Sequence, residues 1–554
     1  MKISRRDLLV WSAGAAAGLI VTPVPWKLLD DTSIWSQNWP WIPQPVRGPI
    51  EVKQTSCTLC PKGCGMKVKM AAGWPVGVAG LGSHPISRGA LCPLGFGVHQ
   101  LNWHPQRLRF VRHGSQISSW NDAGAAFAKA CNEGPVVVID GYPGRAASSV
   151  LETFSQKRNG SYRVVLGSET RALEAYEAWS GVPTSSLAYD LESAKTIVSF
   201  GAPLLDGWGT PGQFTRLWAE RAAGKTNPQL RLIQLEATLS RTAARAWQWT
   251  SIPVGSESGL AAGVARVLLE ERLVAAHGPM PSLTLAEAAA QTELSTEVLR
   301  DLARTIASQT PAVAIASDDN PAVAALNVVL GSVGARGGIV RRSKRTQHYI
   351  SADAELPSAR ALLVDASVPW DFVPKTNAEV FRFAAWDGGS SKADWLLPSP
   401  GFLEETNDIP STPTSAIETY AVSPALTKAP HEVQSAAQFL CSLDPTFTTA
   451  EKIIHSRCEE LFRARIGALQ AQERTPVAKF DSAQKIDEQL SKGAIWTGGP
   501  GIPGFKCVLK EWPSVNPSDS ENSSTIWPAP VLPPLATKLY RESSLREASE
   551  MRNE

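Results

Sequence analysis

The chain has 554 residues and a mass of 59.5 kDa, and 43% of its residues are hydrophobic, which allows a large buried core and more than one domain. Its 54 basic and 52 acidic residues leave a formal net charge of +2. No basic run suggests nucleic-acid binding, so we expect no nucleic-acid partner. Eight cysteines are too few for a disulfide scaffold in a chain of this size.

The N-terminus has the pattern of an export signal. Ser4-Arg5-Arg6-Asp7-Leu8-Leu9 resembles a twin-arginine signal, and the apolar stretch from Leu8 to Thr22 is shorter than the about 20 residues of a membrane span. A short buried helix after two chance arginines is the alternative. We predict export by the twin-arginine route to the periplasmic side of the cytoplasmic membrane. Whether the segment is cleaved or kept as an anchor stays open. The signal and a Trp- and Pro-rich extended arm together occupy residues 1–45.

Four cysteines follow with the spacing C-x2-C-x3-C-x27-C, in "SCTLCPKGCGMKVK" and "RGALCPLGFG". Four cysteine thiolates are the usual ligands of a [4Fe–4S] cluster, so we predict one such cluster on Cys57, Cys60, Cys64 and Cys92. Structural zinc usually needs two separated C-x2-C pairs, and two disulfides are the other alternative. The remaining cysteines have no ligand spacing and are interpreted as buried small residues: Cys131, Cys441, Cys458 and Cys507.

The rest of the chain alternates short apolar runs with helical stretches such as 123–130 and 259–271, which is typical of parallel sheets covered by helices. The predicted strands are Val136–Asp140, Arg163–Leu166, Thr196–Phe200, Arg231–Leu235, Val313–Ala316 and Ala361–Val364. A weak internal similarity relates 194–206 to 359–371 and 246–255 to 393–402. It indicates two related units.

These motifs together resemble the molybdopterin (DMSO reductase-type) oxidoreductase superfamily. The cysteine spacing is similar to that of the family's N-terminal iron–sulfur domain. The segments "AKTIVSFGAPLLDGWGTPGQF", "RLIQLEATLSRTAARAWQWTSIPVGSES", "ALNVVLGSVGARGGIV" and "KADWLLPSPGFLEETND" are similar to later family segments and occur in the same order.

The resemblance implies an α/β fold in which a small N-terminal [4Fe–4S] domain is followed by two doubly wound parallel-sheet domains. It places the cluster domain at 46–110 and an inserted Rossmann-like domain at 131–320. The second α/β domain takes 111–130 and 321–450, and 451–554 is expected to be helix and extended tail. The family's C-terminal pterin-binding domain is expected to be missing.

Four departures distinguish the chain from catalytic members of that family. The stretch 166–181, where the family's metal ligand falls, has no cysteine. Leu94 occupies the position of a basic residue that lies between cluster and pterin. The sequence "PVGSES" replaces the usual P-G-T-D, and the closing domain has no counterpart. We expect no catalytic residues and no molybdopterin.

The chain is most similar to the molybdopterin-like subunits of alternative complex III and of the periplasmic menaquinone reductase complex. This resemblance implies an iron–sulfur electron-transfer or scaffold subunit of a membrane-associated quinone oxidoreductase. The implied partners are a ferredoxin-like multi-cluster subunit, a multihaem cytochrome c and a polytopic quinone-binding membrane subunit. A catalytic molybdoenzyme acting on a small substrate and a structural subunit without cofactors are the alternatives.

Overall fold

The structure is a computed structural model that describes residues 4–21, 49–60, 62–105, 107–222, 229–275, 278–342, 349–352, 355–365, 377–386, 393–429, 431–499 and 504–515. The chain divides into two units, one ending at Ile50 and one beginning at Glu51. The predicted arm, with Trp35, Trp39 and Trp41, lies outside the described residues.

The first unit contains helix α1 (Arg5–Val21), whose residues are all exposed. Ser4 caps it, because the Asp7 N–H donates to the Ser4 hydroxyl and that hydroxyl donates to the Asp7 carboxylate at 2.6 Å. The Ser4 hydroxyl and the Ser4 N–H both donate to the Asp7 carboxylate, and these two bonds hold the pKa of Asp7 below its ordinary value. Within the described ranges, no helix is both long and apolar enough to cross a membrane.

The second unit contains the strands and the other helices. The strands are β1 (Ile50–Ser56), β2 (Gly65–Ala71), β3 (Trp74–Gly80), β4 (Arg112–His113), β5 (Gln116–Ile117), β6 (Val136–Asp140), β7 (Ser161–Val164), β8 (Leu187–Tyr189), β9 (Thr196–Phe200), β10 (Arg231–Leu235), β11 (Gln248–Thr250), β12 (Ala312–Ala316), β13 (Ile339–Arg341), β14 (Ala361–Val364), β15 (Glu379–Ala384), β16 (Trp395–Pro398), β17 (Asn407–Ile409), β18 (Thr419–Ser423), β19 (Ala468–Gln470), β20 (Arg474–Pro476) and β21 (Ile495–Thr497).

The helices of this unit cover the sheets or pack between them. They are α2 (Pro93–Gly97), α3 (Trp120–Glu133), α4 (Ala146–Lys157), α5 (Ser168–Arg171), α6 (Glu174–Ser180), α7 (Pro211–Leu217), α8 (Arg241–Arg245), α9 (Glu257–Glu270), α10 (Leu285–Thr292), α11 (Thr296–Ala307), α12 (Pro321–Val329), α13 (Ala436–Leu443), α14 (Ala450–Ala464) and α15 (Ala483–Ser491).

The largest sheet has the order β5-β4-β16-β15-β14-β6-β7, and its strands from β16 to β7 are parallel. Alternate residues of its strands enter two different apolar clusters. Val136 and Val138 pack with Phe127 and Phe381, whereas Val137 packs with residues of the opposite face. Burial on both faces explains why these strands are continuous apolar runs.

A second parallel sheet has the order β11-β10-β9-β12. The two pairs of similar segments lie in the two parallel sheets. Segments 194–206 and 246–255 contain β9 and β11 of one sheet, and segments 359–371 and 393–402 contain β14 and β16 of the other. The predicted α/β class is confirmed.

One predicted boundary is corrected by the strand pairing. Residue 131 was expected to begin the inserted domain, but β6 pairs with β14 and β7 pairs with β6. Residues 136–164 therefore belong to the larger sheet, and the inserted four-stranded sheet takes its strands from 196–316.

The prediction of helix and tail from residue 451 is wrong for its first part. Residues 450–497 contain α14 and α15 and complete an antiparallel sheet of order β17-β18-β21-β19-β20. This sheet covers its own buried cluster, which includes Tyr420, Leu469 and Trp496. Residues 516–554 lie outside the described part of the chain.

Candidate functional site

The first three cysteines lie on a tight loop between β1 and β2. The loop is closed at its base, where the Cys57 N–H donates to the Cys64 carbonyl at 2.8 Å. Gly63 has a φ of +59°, and a Cβ at this position would overlap the side chain of Ile409. Glycine is needed here for both reasons, so the turn can bring Cys60 and Cys64 to the same side.

His84 contacts this loop through a hydrogen bond with the Gly63 backbone. It is only 3% exposed, and its Nδ1 accepts hydrogen bonds from the N–H groups of Ile86 and Ser87 at 3.2 and 3.0 Å. Burial lowers the pKa of His84 to about 4, although a hydrogen bond to the Gly63 backbone opposes this shift. The neutral ring can therefore hold this part of the chain through hydrogen bonds without adding a charge beside the cysteines.

The fourth cysteine begins helix α2. Cys92 is the N-cap residue, and its sulfur accepts a hydrogen bond from the Gly95 N–H at 3.3 Å. Leu94 in the same helix is buried in an apolar cluster with Cys57, Cys64 and Val98. Leu94, at the position where the family resemblance implies a basic residue, is therefore part of a small hydrophobic core.

The structure brings the four sulfur atoms together. Each pair among Cys57, Cys60, Cys64 and Cys92 is close enough for one thiolate to raise the pKa of another. Burial is the larger cause. It raises all four thiol pKa values, that of Cys60 to about 11. Without bound metal, these thiols would therefore stay protonated.

Every one of these sulfurs also meets backbone N–H donors. The donors to Cys57, Cys60, Cys64 and Cys92 belong to Leu59, Lys62, Gly212 and Gly95 respectively. Amide donors stabilise the charge of metal-bound thiolates and tune an iron–sulfur cluster. The donor set fits a [4Fe–4S] cluster for this reason.

Gly212 could not be assigned to the cluster from the sequence. It lies at the start of α7, in the segment "DGWGTPGQF". A Cβ on Gly212 would approach the Ala90 carbonyl oxygen to 2.8 Å and the Cys64 sulfur to 3.3 Å. The domain built on the four-stranded sheet therefore contributes a backbone contact to the cluster loop.

Among the residues that the structure describes, no three His, Cys, Asp or Glu side chains are arranged to hold one metal ion. A cubane makes a different demand, because each cysteine binds a different iron. The other cysteines are separate. Cys131, Cys441 and Cys507 are half-buried and Cys458 is buried, and the buried Cys458 lies in the core of the C-terminal sheet, as a small apolar residue would.

A cavity of about 120 Å³ lies beside the cysteine loop. Thr58 and Leu59 form one wall, and the segments that follow β6, β14, β15 and β16 supply much of the rest. Val98, Ser435 and two residues of β17 complete the lining. Ligands bind at the carboxyl ends of the strands in open α/β sheets. The lining residues with polar or charged side chains are Thr58, Tyr142, Arg145, Asp365, Trp386, Ser399, Glu405, Asn407, Asp408 and Ser435.

The charges of this cavity are mostly internally paired, with an acidic excess. Arg145 donates to Asp365 at 2.6 Å and to Asp140 at 3.3 Å. Asp408 pairs with Arg457. Burial raises the pKa of Glu405 to about 7, and its carboxylate accepts a bond from Ser435 at 2.7 Å. Anions would meet carboxylates here rather than free cations.

The predicted metal-ligand stretch 166–181 contributes a carboxylate to a different contact. Glu169, in α5, forms an ion pair with Lys62, which lies between Cys60 and Cys64. Both side chains are buried, with exposures of 5% for Lys62 and 6% for Glu169. Burial lowers the pKa of Lys62 to about 8. The sequence analysis missed this pair.

Comparison with known proteins identifies the N-terminal part of the second unit. Residues 50–102 match the family described as Molybdopterin oxidoreductase Fe4S4 domain. This region contains all four cysteines, so the predicted resemblance is confirmed in the region where the cysteine pattern lies.

Two curated proteins show that the similarity extends beyond this domain. The chain is 30% identical over 368 residues to the "Menaquinone reductase, molybdopterin-binding-like subunit" of Nitratidesulfovibrio vulgaris (strain Hildenborough), an alignment that covers 61% of this chain and 52% of that protein. It is 25% identical over 230 residues to "Nitrate reductase" of Klebsiella oxytoca, covering 39% of this chain and 26% of that protein. The chain thus spans about half the length of the first protein and about a quarter of the second.

The fold also has a counterpart among solved structures. "Acetylene Hydratase from Pelobacter acetylenicus" matches with a TM-score of 0.61, over 81% of this chain and 74% of that one. The sequence identity is 12%, so this match shows a shared fold alone.

Proposed function

We propose that this chain is an iron–sulfur electron-transfer subunit of a membrane-associated, periplasmic quinone oxidoreductase complex. The observation that carries the proposal is the grouping of four cysteine sulfurs, each with a backbone N–H donor, within an Fe4S4 domain. Cys57 and Cys64 are buried, and Cys60 and Cys92 are partly exposed. Cys57, Cys60, Cys64 and Cys92 would bind the four irons of one cluster. The cluster would then exchange single electrons with a partner subunit.

We further propose that the chain works without molybdopterin. A pterin nucleotide is large and anionic, whereas the cavity beside the cluster loop has about 120 Å³ and sites for such ligands have roughly 300 Å³ or more. The cavity's arginine is paired with Asp140 and Asp365, so its charge is not free for a phosphate. Glu169 in the predicted metal-ligand stretch faces Lys62. These observations support a chain that works without the cofactor.

The proposed surroundings follow from the similarity to the menaquinone reductase subunit. That protein's name places it in a multi-subunit reductase, which supports the same for this chain. The proposed partners are a ferredoxin-like multi-cluster subunit, a multihaem cytochrome c and a polytopic quinone-binding membrane subunit. Export on the twin-arginine route would deliver the chain with its cluster already inserted.

Elemental analysis tests the cofactor content directly. The full chain is purified from a host that makes molybdopterin, and iron, molybdenum and tungsten are measured per chain. We expect about four irons, since a cubane holds that many, and neither molybdenum nor tungsten. Stoichiometric molybdenum or tungsten would overturn the cofactor-free proposal, and absence of iron would overturn the electron-transfer role.

A further inference from the structure

Lys62 has an unusual position for a charged side chain. It is flanked by Cys60 and Cys64, two residues away on each side, and the residue as a whole is 6% exposed. Its ammonium acts electrostatically on both of these sulfurs. A lysine buried to this extent is expected to have a charged partner, because lysine is almost never fully buried unless it is paired.

The partner comes from another part of the fold. Glu169 lies on α5 after β7, 107 residues further along the chain, and its carboxylate accepts directly from Lys62 Nζ. The backbone makes room for this contact. Gly167 is the N-cap residue of α5, and a Cβ there would collide with the Glu169 carboxylate. The pair therefore connects the cysteine loop to the segment that follows β7 of the large sheet.

A buried ion pair of this kind adds little to stability, since the cost of desolvating two charges offsets their attraction. Its effect on a neighbouring redox centre is much larger, because charge in a poorly solvated interior acts strongly at short range. Adding an electron to an iron–sulfur cluster adds negative charge. A nearby ammonium stabilises the reduced form, and a nearby carboxylate opposes it.

We propose that the Lys62–Glu169 pair sets the reduction potential of the cluster, with Lys62 raising the potential and Glu169 limiting that rise. This inference rests on the proposed iron–sulfur function. The ammonium acts on the sulfurs of Cys60 and Cys64. It therefore supplies positive charge to the cluster, whereas Leu94, at the position where the family resemblance implies a basic residue, supplies none. Lys62 is a tuning residue and not a ligand.

The test uses three variants of the full chain: Lys62→Met, Glu169→Gln and the double variant. Their cluster potentials are measured at pH 6 by redox titration followed by electron paramagnetic resonance. We expect Lys62→Met to shift the potential to a more negative value and Glu169→Gln to shift it to a more positive one. The double variant is expected to lie between the two single variants. A purely structural role would not produce shifts of opposite sign.

Lys67→Met is the matched control. Lys67 is on β2 of the same small domain and is exposed, so its removal makes the same charge change at a site that water and salt screen. Its potential should equal that of the unmodified chain. If Lys62→Met fails to retain a cluster, Glu169→Gln and the double variant still report the sign.

The outcomes separate the two proposals. Absence of a cluster in the unmodified chain overturns the iron–sulfur function itself. A cluster that is present but has the same potential in all cluster-bearing variants overturns only the tuning role. Shifts in the same direction for Lys62→Met and Glu169→Gln would also overturn it, because loop distortion would then be the cause.

Discussion

Breaking the buried Arg107–Glu404 pair should destabilise the contact between the cluster domain and the large sheet. The two side chains are 4% and 0% exposed, and Arg107 binds both carboxylate oxygens, with 2.8 Å from Nη1 to Oε1. Arg107→Met leaves the Glu404 carboxylate buried, with the Gly401 N–H at 2.7 Å as a remaining donor. We expect a loss of about 3–5 kcal/mol, the usual effect of removing one partner of a buried pair.

The assay is urea unfolding followed by tryptophan fluorescence and circular dichroism. The double variant Arg107→Met/Glu404→Met removes both charges and should recover most of the lost stability, because apolar side chains can replace a buried pair. Arg360→Met is the control, since its pair with Glu133 is 60% and 38% exposed and water and salt screen exposed pairs. The reasoning fails if Arg107→Met costs no more than Arg360→Met, or if the double variant is the least stable.

Three further predictions concern the cluster, export and pH. Cys60→Ser should abolish the visible absorption of the cluster, whereas Cys507→Ser, outside the cluster loop, should leave it intact; an unchanged spectrum for Cys60→Ser contradicts the ligand assignment. Replacing Arg5 and Arg6 with Lys should leave folded protein in the cytoplasm, and normal export in cell fractionation contradicts the signal assignment. The raised pKa of Glu405, about 7 against an ordinary 4.5, means that the folded state holds a proton longer than the unfolded state. Its contribution to stability is therefore full below pH 4.5 and is lost as the pH rises to 7. Glu405→Gln should be more stable than the unmodified chain at pH 8 in urea unfolding, and equal stability at that pH contradicts the assignment.

The parallel strands were predictable because they are buried on both faces. Four predicted strands have the same bounds in the structure as in the sequence analysis: Val136–Asp140, Thr196–Phe200, Arg231–Leu235 and Ala361–Val364. The strand predicted at Arg163–Leu166 is Ser161–Val164, since its pairing with β6 begins at Ser161. A strand that is buried on both faces is a continuous apolar run, and such a run can be recognised in the sequence. The residue at which a strand ends depends instead on its pairing with the neighbouring strand.

The C-terminal sheet could not be predicted in the same way. Strands β19 and β21 have three residues each, too few to show a period. The domain boundary at 131 was misplaced because sequence does not reveal that Val136 pairs with Ala361. Two strands more than 200 residues apart in the chain pair only because the intervening domain folds between them.

The candidate site was predictable only where its residues are close in sequence. The four cysteines have a diagnostic spacing, and the structure brings them together. Lys62 stands in the middle of that motif, but its partner is 107 residues away, and neither residue alone indicates a pair. Gly212 donates through its backbone, so no side chain could have identified it.

The order in which the large sheet receives its strands has a consequence for synthesis on the ribosome. Among the parallel strands of this sheet, β6 and β7 emerge first, but the neighbour of β6 on the other side is β14, more than 200 residues later. At about 5–20 residues per second, this interval is roughly 10–45 s. During that time the exposed edge of β6 is a template for unwanted pairing, while the intervening four-stranded sheet can already form. A nascent chain with this strand order needs protection at the β6 edge until β14 is synthesised.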